Sequence, residues 1–407
     1  MQYKNLSESL ISGNETIPII DLGNHGFADS FFPLNMSNEA CKSMPLICRL
    51  DKTSGLVQLE NISFAADRYS LVDYSYTSSN SNASRDHWNE YAFFLHKEVG
   101  LKNINVLEVG SNDGFLLEQI KNYTSNILGI DASPTMTAYA NSKGIRTITG
   151  VFGESPDLSS NLREHYKEFD LIIANNVLNH SNDPVKFLKL VSSHLSSDGL
   201  FVLEVPYWLN TIKSLRFDQI YLEHITYFTV ESINNLVLAA GLYIKDLSLV
   251  DYHGGSLRVL VGKNRFHSSS KDKFIDSEKR FNLKHEKTYL DYVKKINQAR
   301  SNFFVRMEKE VNLDKSATVF GVGAAAKANT LLTYYGLNSQ KMKFIVDSSI
   351  LKQGKMTPVT LIPIVPDNQV QQIMSGVGVV LAWNLNTFLK SALLKLNPKI
   401  KFVDTLV

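Results

Sequence analysis

A short apolar run that ends in a glycine loop constrains this chain more than any other stretch. Residues 106–115 read Val-Leu-Glu-Val-Gly-Ser-Asn-Asp-Gly-Phe, which predicts a buried strand, interrupted by Glu108, and then a sharp turn. Helical spacing follows from Phe115 to Ile120. A strand that feeds a glycine loop and a helix places backbone N–H groups at the carboxyl edge of a sheet, where an anionic group can dock. The chain therefore contains an α/β domain with a ligand site.

The spacing of the two glycines narrows the kind of site. Gly-x-x-x-Gly is neither the dinucleotide pattern Gly-x-Gly-x-x-Gly nor a P-loop, which needs Gly-Lys-Ser/Thr. It resembles the first motif of the S-adenosylmethionine-dependent methyltransferases. In that family the acid at Glu108 anchors the loop near the methionine moiety, and the glycines let the backbone pass close to the cofactor. The alternative is an ordinary strand–turn–helix of a doubly wound sheet.

Two later strands end in polar residues at the same expected edge. Ile127–Asp131 ends in an acid about twenty residues after the loop, where a carboxylate can accept hydrogen bonds from both ribose hydroxyls. A further strand begins at Phe169 and ends near Asn175. Because the carboxyl ends of parallel strands share one edge, these strand ends favour the methyltransferase interpretation.

Composition excludes several classes of protein. The chain has 407 residues, 44% of them hydrophobic, so we expect two or three domains with ample cores. A net charge of +2 gives no electrostatic reason for a nucleic-acid partner. No apolar run of about twenty residues and no signal-peptide pattern appear, and two cysteines, Cys41 and Cys48, suit a reducing compartment. We expect a cytoplasmic protein with no membrane partner; the oligomeric state is open, and no heptad repeat argues against a monomer.

Strand and helix patterns divide the chain into three segments, and the alternation in the second and third predicts an α/β fold. Residues 1–80 form a small loop-rich domain with strands at Ile17–Gly23 and Gly55–Leu59, where Pro18 confines the first strand to an edge or to its beginning. Residues 81–264 form a Rossmann-like methyltransferase domain that starts with a helix over 85–99. Residues 265–407 form a charged helical connector and a second α/β unit. The predicted strands of the central domain are 106–109, 126–130, 147–151, 171–174, 200–205 and the closing antiparallel pair 243–249 and 256–261.

The second α/β unit also begins with a strand, a glycine turn and a helix start, at Ala317–Lys327. Gly-x-Gly-Ala alone is a weak dinucleotide signal, and the unit is too short for a complete NAD domain. A phosphate-binding platform, with Lys327 beside a helix N-terminus, fits better.

Candidate proton-transfer residues cluster in Phe217–Phe228, where Tyr221, Glu223 and His224 lie within four residues. A histidine between a carboxylate and a phenol can be tuned to accept a proton near neutral pH. His180 follows another sheet strand and should face the same crevice. The alternative is a pair of ordinary buried histidines, and the glycine turn at 253–258 could be a plain hairpin.

Seven motifs occur in an order that covers nearly the whole chain. The sequence resembles the nucleotide-sugar C-methyltransferases that build branched-chain deoxysugars, such as the sugar 3-C-methyltransferases. Tyr-x-Glu-His and His-Gly-Gly-Ser-Leu-Arg are the motifs specific to that group. The motifs are Gln58-Leu with Tyr74-Ser-Tyr-Thr-Ser-Ser79, Glu108-Val-Gly-Ser-Asn-Asp-Gly114, Asn175-Asn-Val-Leu-Asn-His180, Phe217-Asp-Gln-Ile-Tyr-x-Glu-His224, His253-Gly-Gly-Ser-Leu-Arg258, Gly321-Val-Gly-Ala-x-x-Lys327 and Ala382-Trp-Asn384.

The resemblance implies a zinc-binding N-terminal domain, a central methyltransferase domain and a C-terminal pseudo-Rossmann domain. It also implies S-adenosylmethionine as cofactor and a nucleoside-diphosphate 4-keto-6-deoxy sugar as substrate, held between the last two domains. His224 is then the base that removes the proton beside the ketone, and four residues surround the reacting centre: Tyr76, Tyr221, Glu223 and His180. The cofactor would be held by Glu108, Gly110, Ser111, Asp113, Gly114, Asp131 and Asn175, and the substrate by His253, Ser256, Arg258, Gly323 and Lys327.

One departure from the family concerns zinc. Its members carry two Cys-x-x-Cys pairs in the N-terminal domain, which suit tetrahedral zinc. No cysteine precedes Ile17 here, Asp51 and Ser54 replace the second pair, and Cys48 is out of register. We expect no zinc, and a domain held by hydrophobic packing or by docking on its neighbour.

Two alternative functions stay open on the sequence. A related methyltransferase acting on oxygen or nitrogen of a nucleotide sugar or similar small molecule would not need a carbon-acid base. A degenerate relative could bind a nucleotide sugar without turnover, although the intact motifs at 108–114 and 221–224 oppose this.

Overall fold

The computed structural model describes residues 3–64, 68, 77–79, 81–252 and 254–406 of the chain. Its strands are β1 Tyr3–Asn5, β2 Ile17–His25, β3 Phe32–Pro33, β4 Met44–Leu50, β5 Val57–Leu59, β6 Asn61–Ser63, β7 Val106–Val109, β8 Ile127–Asp131, β9 Thr147–Thr149, β10 Phe169–Asn175, β11 Leu195–Pro206, β12 Thr226–Tyr227, β13 Tyr243–Val250, β14 Ser256–Gly262, β15 Thr318–Val322, β16 Ile345–Val346, β17 Lys355–Met356, β18 Ile364–Val365, β19 Gly376–Val380 and β20 Ile400–Asp404.

The α-helices are α1 Ser37–Ala40, α2 Asn82–Val99, α3 Phe115–Ile120, α4 Pro134–Ser142, α5 Leu158–His165, α6 Pro184–His194, α7 Trp208–Lys213, α8 Val230–Ala239, α9 Ser269–Arg280, α10 Glu286–Leu313, α11 Ala326–Tyr335 and α12 Asn386–Leu396. Short 3-10 helices cover Leu178–His180, Phe217–Gln219, Asp367–Gln372 and Trp383–Leu385.

The central domain is built on a seven-stranded sheet in the order β13-β14-β11-β10-β7-β8-β9. Strands β7 to β11 pair in parallel, whereas β14 runs antiparallel to both of its neighbours. The predicted closing hairpin is therefore present, and the fold is that of a Rossmann-like class I methyltransferase. The chain leaves β7 in one direction along the sheet and later returns to β10 on its other side, so the loops after β7 and β10 form the ligand crevice.

Apolar strands explain why this sheet is buried on both faces. Every residue of β7 is buried, including Glu108, and β10 is buried from Leu171 to Ala174. The predicted strands agree with the observed ones to within a few residues, except that β11 begins five residues earlier, at Leu195. The sequence has residue types typical of a turn at Ser196, Asp198 and Gly199. In the structure these residues extend the strand, where the register between β10 and β11 shifts after Phe169.

The N-terminal part forms a four-stranded antiparallel sheet in the order β12-β5-β4-β2. Its fourth strand, β12, comes from the central part of the chain and pairs Thr226 with Gln58. Pro18 is the second residue of the edge strand β2, as predicted, and a register shift follows it. Strand β4 was not predicted, although its burial alternates along its whole length.

The C-terminal part forms a five-stranded parallel sheet in the order β18-β16-β15-β19-β20. The three predicted strands are present, and β18 and β20 extend the sheet on either side. Helices α9 and α10 supply the predicted charged connector, and no helix within the described ranges is long and apolar enough to cross a membrane. Strand β17 pairs with β3, so this part also contacts the N-terminal part.

All three parts of the chain meet at residues 217–228, which we call the junction segment. From the N-terminal part, the Asp29 N–H donates to Glu223 Oε1 over 3.0 Å. From the C-terminal part, Thr330 Oγ1 donates to the Ile220 carbonyl over 2.9 Å and Trp383 Nε1 donates to Asp218 Oδ2 over 2.5 Å. The junction segment is therefore fixed from several sides.

Candidate active site

The turn after β7 can be made only with glycine at its first position. Gly110 has φ +73°, and a Cβ built there would overlap the side chain of Val177, which lies in the loop after β10. Gly114 has φ +76° and caps the start of α3. The two loops at the sheet edge thus approach each other closely.

Asp131 organises the neighbouring loop at the end of β8. Its carboxylate accepts from the Asn112 N–H over 2.9 Å and from the Ser133 N–H over 2.8 Å. Burial raises the pKa of Asp131, and these two backbone hydrogen bonds oppose the rise. The acid therefore lies beside the glycine loop, where a ribose would be recognised.

Glu108 and Asn175 bring unsatisfied polar atoms to the same edge. Within the described residues, Glu108 Oε2 and Asn175 Nδ2 are buried without a hydrogen-bond partner, whereas Asn175 Oδ1 accepts from the Glu204 N–H over 3.0 Å. Burial, with smaller contributions from Asp113 and Asp131, raises the pKa of Glu108 well above its usual range. A buried acceptor and a buried donor beside a glycine loop suit the ammonium and carboxylate of the methionine part of S-adenosylmethionine.

Asp113 and Asn112 also fasten a segment of the N-terminal part over the glycine loop. Ser79 donates to Asp113 Oδ2 through its backbone N–H over 3.2 Å and through its hydroxyl over 2.5 Å. The Ser78 N–H donates to Asn112 Oδ1 over 2.9 Å. Ser111 is buried, and its hydroxyl donates to the Ile130 carbonyl over 3.5 Å. The predicted cofactor residues Ser111 and Asp113 are thus at the loop, with side chains bonded to protein groups.

His224 is buried in the junction segment in a defined tautomer. Its Nδ1 lies 3.0 Å from the Gln219 carbonyl oxygen, which can only accept, so Nδ1 carries the proton and Nε2 is left as an acceptor. Burial, and next the neighbouring His180, lowers the pKa of His224 well below its usual range. The imidazole is therefore neutral at neutral pH and able to take up a proton.

Two of the predicted partners of His224, Tyr221 and His180, lie beside it. The Tyr221 ring lies 3.8 Å from the His224 ring and the His180 ring 4.9 Å from it, centroid to centroid. Burial, and next the Arg68 cation, lowers the pKa of His180 to about 3. Burial raises the pKa of Tyr221 well above its usual range, with Glu223 as the next cause. Two neutral histidines and a neutral phenol thus share one site.

Glu223 is the residue of this cluster that titrates near neutrality. Burial raises its pKa to about 7, against hydrogen bonds from the backbone N–H groups of Asp29 and Ala28. Its Oε1 accepts from the Asp29 N–H, whereas its buried Oε2 has no partner within the described part of the chain. A carboxyl group of this kind can be protonated at neutral pH, and its O–H can then donate a hydrogen bond to a ligand.

Asn179 is a candidate that residue-by-residue prediction missed. It is buried directly before His180, and neither its Nδ2 nor its Oδ1 has a partner within the described ranges. Its backbone carbonyl accepts from the Ile225 N–H over 2.7 Å, which ties the loop after β10 to the junction segment. The Asn-His pair at 179–180 was a usable signal, because both residue types carry hydrogen-bonding groups beyond a strand end.

A cationic cluster lies where the C-terminal part contacts the junction segment. The Trp383 ring has Lys327 Nζ 3.9 Å from its centroid and the Arg216 guanidinium 3.7 Å from it. Burial lowers the pKa of Lys327 to about 8, and buried Asp218 opposes this shift. A Cβ on Gly254, which has φ +87°, would crowd the same Trp383 ring. Arg216 directly precedes the motif at 217–224, and Trp383 lies inside the motif at 382–384. Their contact forms only in the folded chain, so the sequence did not predict it.

Other predicted substrate residues have different surroundings. Arg258 forms a buried ion pair with Glu204, 2.6 Å from Nη2 to Oε1, and its guanidinium stacks on Tyr91 and Phe94. The Ser256 hydroxyl donates to the Tyr252 carbonyl over 3.1 Å. These contacts favour a role in shaping the hairpin turn. Gly323 has φ +84° in the turn after β15, and Tyr76 and His253 lie outside the described residues.

Comparisons with known proteins agree with this architecture. Residues 84–247 match a methyltransferase domain, and residues 251–402 match a C-methyltransferase C-terminal domain. The C-methyltransferase NovU from Streptomyces niveus is 29% identical over 318 residues, which cover 76% of this chain and 74% of NovU.

Solved structures of low similarity match a little under half of the chain. An S-adenosylmethionine-dependent methyltransferase from Clostridium acetobutylicum is 18% identical, with a TM-score of 0.36 over 45% of this chain and 93% of that one. The magnesium protoporphyrin IX methyltransferase ChlM from Synechocystis with bound SAH is 14% identical, with a TM-score of 0.35 over 44% of this chain and 81% of that one.

The sheet order, the glycine loop and the two matched domains lead to one assignment. The domain matches lie side by side along the chain, and NovU aligns across most of its length. The chain is an S-adenosylmethionine-dependent methyltransferase in which a methyltransferase domain is followed by a C-methyltransferase C-terminal domain, and it is similar to the C-methyltransferase NovU over most of its length.

Proposed function

We propose that this enzyme methylates carbon 3 of a nucleoside-diphosphate 4-keto-6-deoxy sugar. The observation that carries the proposal is the His224 tautomer: a buried, neutral imidazole with Nδ1 bonded to the Gln219 carbonyl and Nε2 left to accept a proton. A methyltransferase acting on carbon needs such a base, because the proton next to a ketone must leave before the carbon can act as a nucleophile.

His224 is the proposed base. A ketone acidifies the neighbouring C–H, and Nε2 takes that proton while the electron pair of the C–H bond forms an enolate. The imidazolium formed is disfavoured by burial, but the enolate beside it is an anion that offsets this cost. Bound S-adenosylmethionine supplies the electrophilic methyl group that the enolate carbon accepts.

Tyr221 and Glu223 are the proposed donors to the enolate oxygen, with Tyr76 and His180 completing the surroundings. The raised pKa of Tyr221 keeps its hydroxyl protonated, and Glu223, with its pKa raised to about 7, can carry a proton on Oε2. A carboxylate at this position would repel the growing negative charge, so the protonated form of Glu223 is the active one.

Lys327 and Arg216 are the proposed ligands of the substrate diphosphate. Both cations lie against Trp383 where the central and C-terminal parts meet, and the Asp218 carboxyl group offsets the charge of each. Residues 1–80, 81–264 and 265–407 would then act as three domains, with the sugar between the last two. The turn at Gly323 and residue His253 belong to the same proposed substrate side, whereas Ser256 and Arg258 shape the hairpin turn.

The proposed cofactor contacts come from the edge loops. Glu108 and Asn175 would hold the methionine end and Asp131 the ribose, while Gly110, Ser111, Asp113 and Gly114 shape the loop. Methylation of oxygen or nitrogen is the competing function, and binding without turnover is a third. The two hydrogen-bond donors beside His224, Tyr221 and Glu223, favour the carbon reaction, because an enolate oxygen needs donors whereas a hydroxyl or amine nucleophile does not.

The deciding experiment offers the enzyme nucleotide-linked 4-keto-6-deoxy sugars in D₂O without S-adenosylmethionine. A carbon-methylating enzyme should exchange the hydrogen on carbon 3 for deuterium, and His224→Asn should stop the exchange. An enzyme that methylates oxygen or nitrogen should bind the sugar with no exchange at that carbon.

A further inference from the structure

A single peptide group joins the C-terminal part, the N-terminal part and the proposed reaction centre. Asn329, buried in α11, donates from Nδ2 to the Ala28 carbonyl over 2.5 Å. The N–H of that same peptide, which belongs to Asp29, donates to Glu223 Oε1 over 3.0 Å. Because the peptide is planar, fixing its carbonyl also fixes the direction of its N–H.

We infer that Asn329 is a positioning residue for the proposed methyl transfer, acting on Glu223 through the Ala28–Asp29 peptide. This inference rests on the proposed function, in which Glu223 donates to the enolate oxygen. A hydrogen bond to the carbonyl polarises the peptide and strengthens its N–H as a donor. Asn329 therefore controls both where the Glu223 carboxyl group lies and how readily it ionises.

The sign of the effect follows from the causes of the Glu223 pKa. Burial raises that pKa to about 7, and the Asp29 and Ala28 N–H groups pull it down. Without Asn329 the peptide donates less well, the carboxylate loses stabilisation and its pKa rises further. The bond from the Asp29 N–H remains but weakens, so the rise should be smaller than the shift of about half a unit to one unit that loss of a whole hydrogen bond would give.

Infrared difference spectroscopy of the carboxyl group tests this inference in the protein without substrate. Glu223→Gln identifies the Glu223 signal, and Asn329→Leu removes the donor at similar volume, with Asn329→Ala as a second variant. Tyr334→Phe is the matched control, since it removes another side-chain hydrogen bond of α11, to Asn297, and leaves the aromatic ring in place. Both Asn329 variants should raise the Glu223 midpoint, and the control should leave it in place.

The titration and the activity measurement together distinguish failure of the positioning role from failure of the proposed function. An unchanged midpoint in a folded Asn329 variant would overturn the positioning role, even if the wild type methylates a sugar. A raised midpoint together with no hydrogen exchange in any keto sugar would keep the role of Asn329 and reject the proposed function. In an active enzyme, the pH profile of kcat/KM should move with the midpoint, which loss of stability alone would not cause.

A second, independent inference concerns the positions in the N-terminal part that correspond to the zinc ligands of the family. Ser9-x-x-Ser12 and Asp51-x-x-Ser54 have the spacing of two Cys-x-x-Cys pairs. Asp51 is fully buried. Its Oδ2 accepts from the Ser12 hydroxyl of the other pair over 2.7 Å and from the Ser54 hydroxyl of its own pair over 2.5 Å. The Ser9 hydroxyl oxygen accepts from the Ile11 and Ser12 N–H groups, each over 3.2 Å.

These residues do not suit zinc. Structural zinc takes four cysteine or histidine ligands, and three hydroxyls with one carboxylate are a poor substitute. Cys48 is buried in β4, where it pairs with Leu59, and Cys41 is exposed. No group of three or more His, Cys, Asp or Glu side chains suited to a metal occurs among the described residues.

We propose that the Asp51 carboxylate replaces the metal as the centre that joins these two turns. Burial alone would raise the pKa of Asp51, but hydrogen bonds from Ser54, Ser9, Ser12 and the Thr53 N–H together lower it. A lowered carboxyl pKa stabilises the folded state above the pKa of the unfolded chain, and this is lost as the pH falls through the folded value. The N-terminal part should thus be sensitive to acid and indifferent to chelators.

Metal analysis and unfolding test this second proposal on the full chain. The wild type should contain no stoichiometric zinc and should unfold at the same urea concentration with and without EDTA. Asp51→Asn should unfold at lower urea concentration at pH 7, whereas the control Asp21→Asn, at an exposed position of β2, should not. Stoichiometric zinc whose removal lowers the unfolding midpoint would overturn the proposal, as would an Asp51→Asn midpoint equal to that of the wild type.

Replacing all four residues supplies a positive test. The variant Ser9→Cys, Ser12→Cys, Asp51→Cys and Ser54→Cys should bind one cobalt ion with the absorption of a tetrahedral thiolate site. A folded variant that binds no cobalt would show that the two turns do not have the geometry of a metal site, and this would also contradict the proposal.

Discussion

The Nδ1–H of His224 donates to the backbone carbonyl of Gln219 over 3.0 Å, and this one bond fixes which ring nitrogen can act as a base. Both residues belong to the junction segment, so the same stretch supplies the base and its orienting group. A backbone carbonyl can only accept a hydrogen bond, and neither a side-chain substitution nor a change of pH alters this. The neutral His224 ring therefore keeps its proton on Nδ1.

Replacing His224 with Asn should stop methyl transfer and leave cofactor binding intact. The amide cannot accept the carbon-bound proton, and general-base catalysis is typically worth about 10²–10⁴-fold in rate. Single-turnover kinetics and calorimetric titration with S-adenosylmethionine measure the two properties separately. Turnover within a fewfold of the wild type would transfer the role of base to another residue, such as Glu223 or His180.

The activity should fall as the pH rises through about 7, because Glu223 then loses the proton that it donates in the proposed mechanism. Glu223→Gln keeps a donor that cannot ionise, so its kcat/KM should be lower but flat across this range. The measurement is kcat/KM from pH 5.5 to 9, at cofactor saturation. If the decline near pH 7 persists in Glu223→Gln, another group is responsible for it.

Gly110→Ala should weaken S-adenosylmethionine binding by tenfold or more. The added methyl group overlaps Val177, and φ +73° is strained for alanine, at a cost of about 1–2 kcal/mol. Val177→Ala in the same chain should recover part of the affinity by removing the overlap but not the strain. An unchanged dissociation constant for Gly110→Ala would mean that the cofactor does not depend on this turn.

Lys327→Met should raise KM for the nucleotide sugar without changing the affinity for S-adenosylmethionine. Its cation lies over Trp383 next to Arg216, and a diphosphate there would lose one charge-assisted contact. Lys341→Met, an exposed lysine of the same C-terminal part, is the matched control. Equal KM values for the two variants would remove Lys327 from the proposed substrate site.

Sequence patterns predicted the features of this molecule that depend on residues close together along the chain. The turn at Gly110 and the acid at Asp131 follow from strand, glycine and helix signals within a short stretch. The pairing of β12 with β5 could not be predicted in this way, because it joins residues from two different parts of the chain. The contact of Asn329 with Ala28 spans 301 residues, and the stacking of Arg216 on Trp383 likewise needs the folded arrangement.

The most direct test of the central claim is mass spectrometry of reactions with S-adenosylmethionine and a panel of nucleotide-linked 4-keto-6-deoxy sugars. We predict one product heavier by a single methylene unit, with the new methyl group on carbon 3 and no exchangeable hydrogen left from the original C–H bond. A product methylated on oxygen or nitrogen would contradict the proposed carbon chemistry, and so would sugar binding without any methylated product.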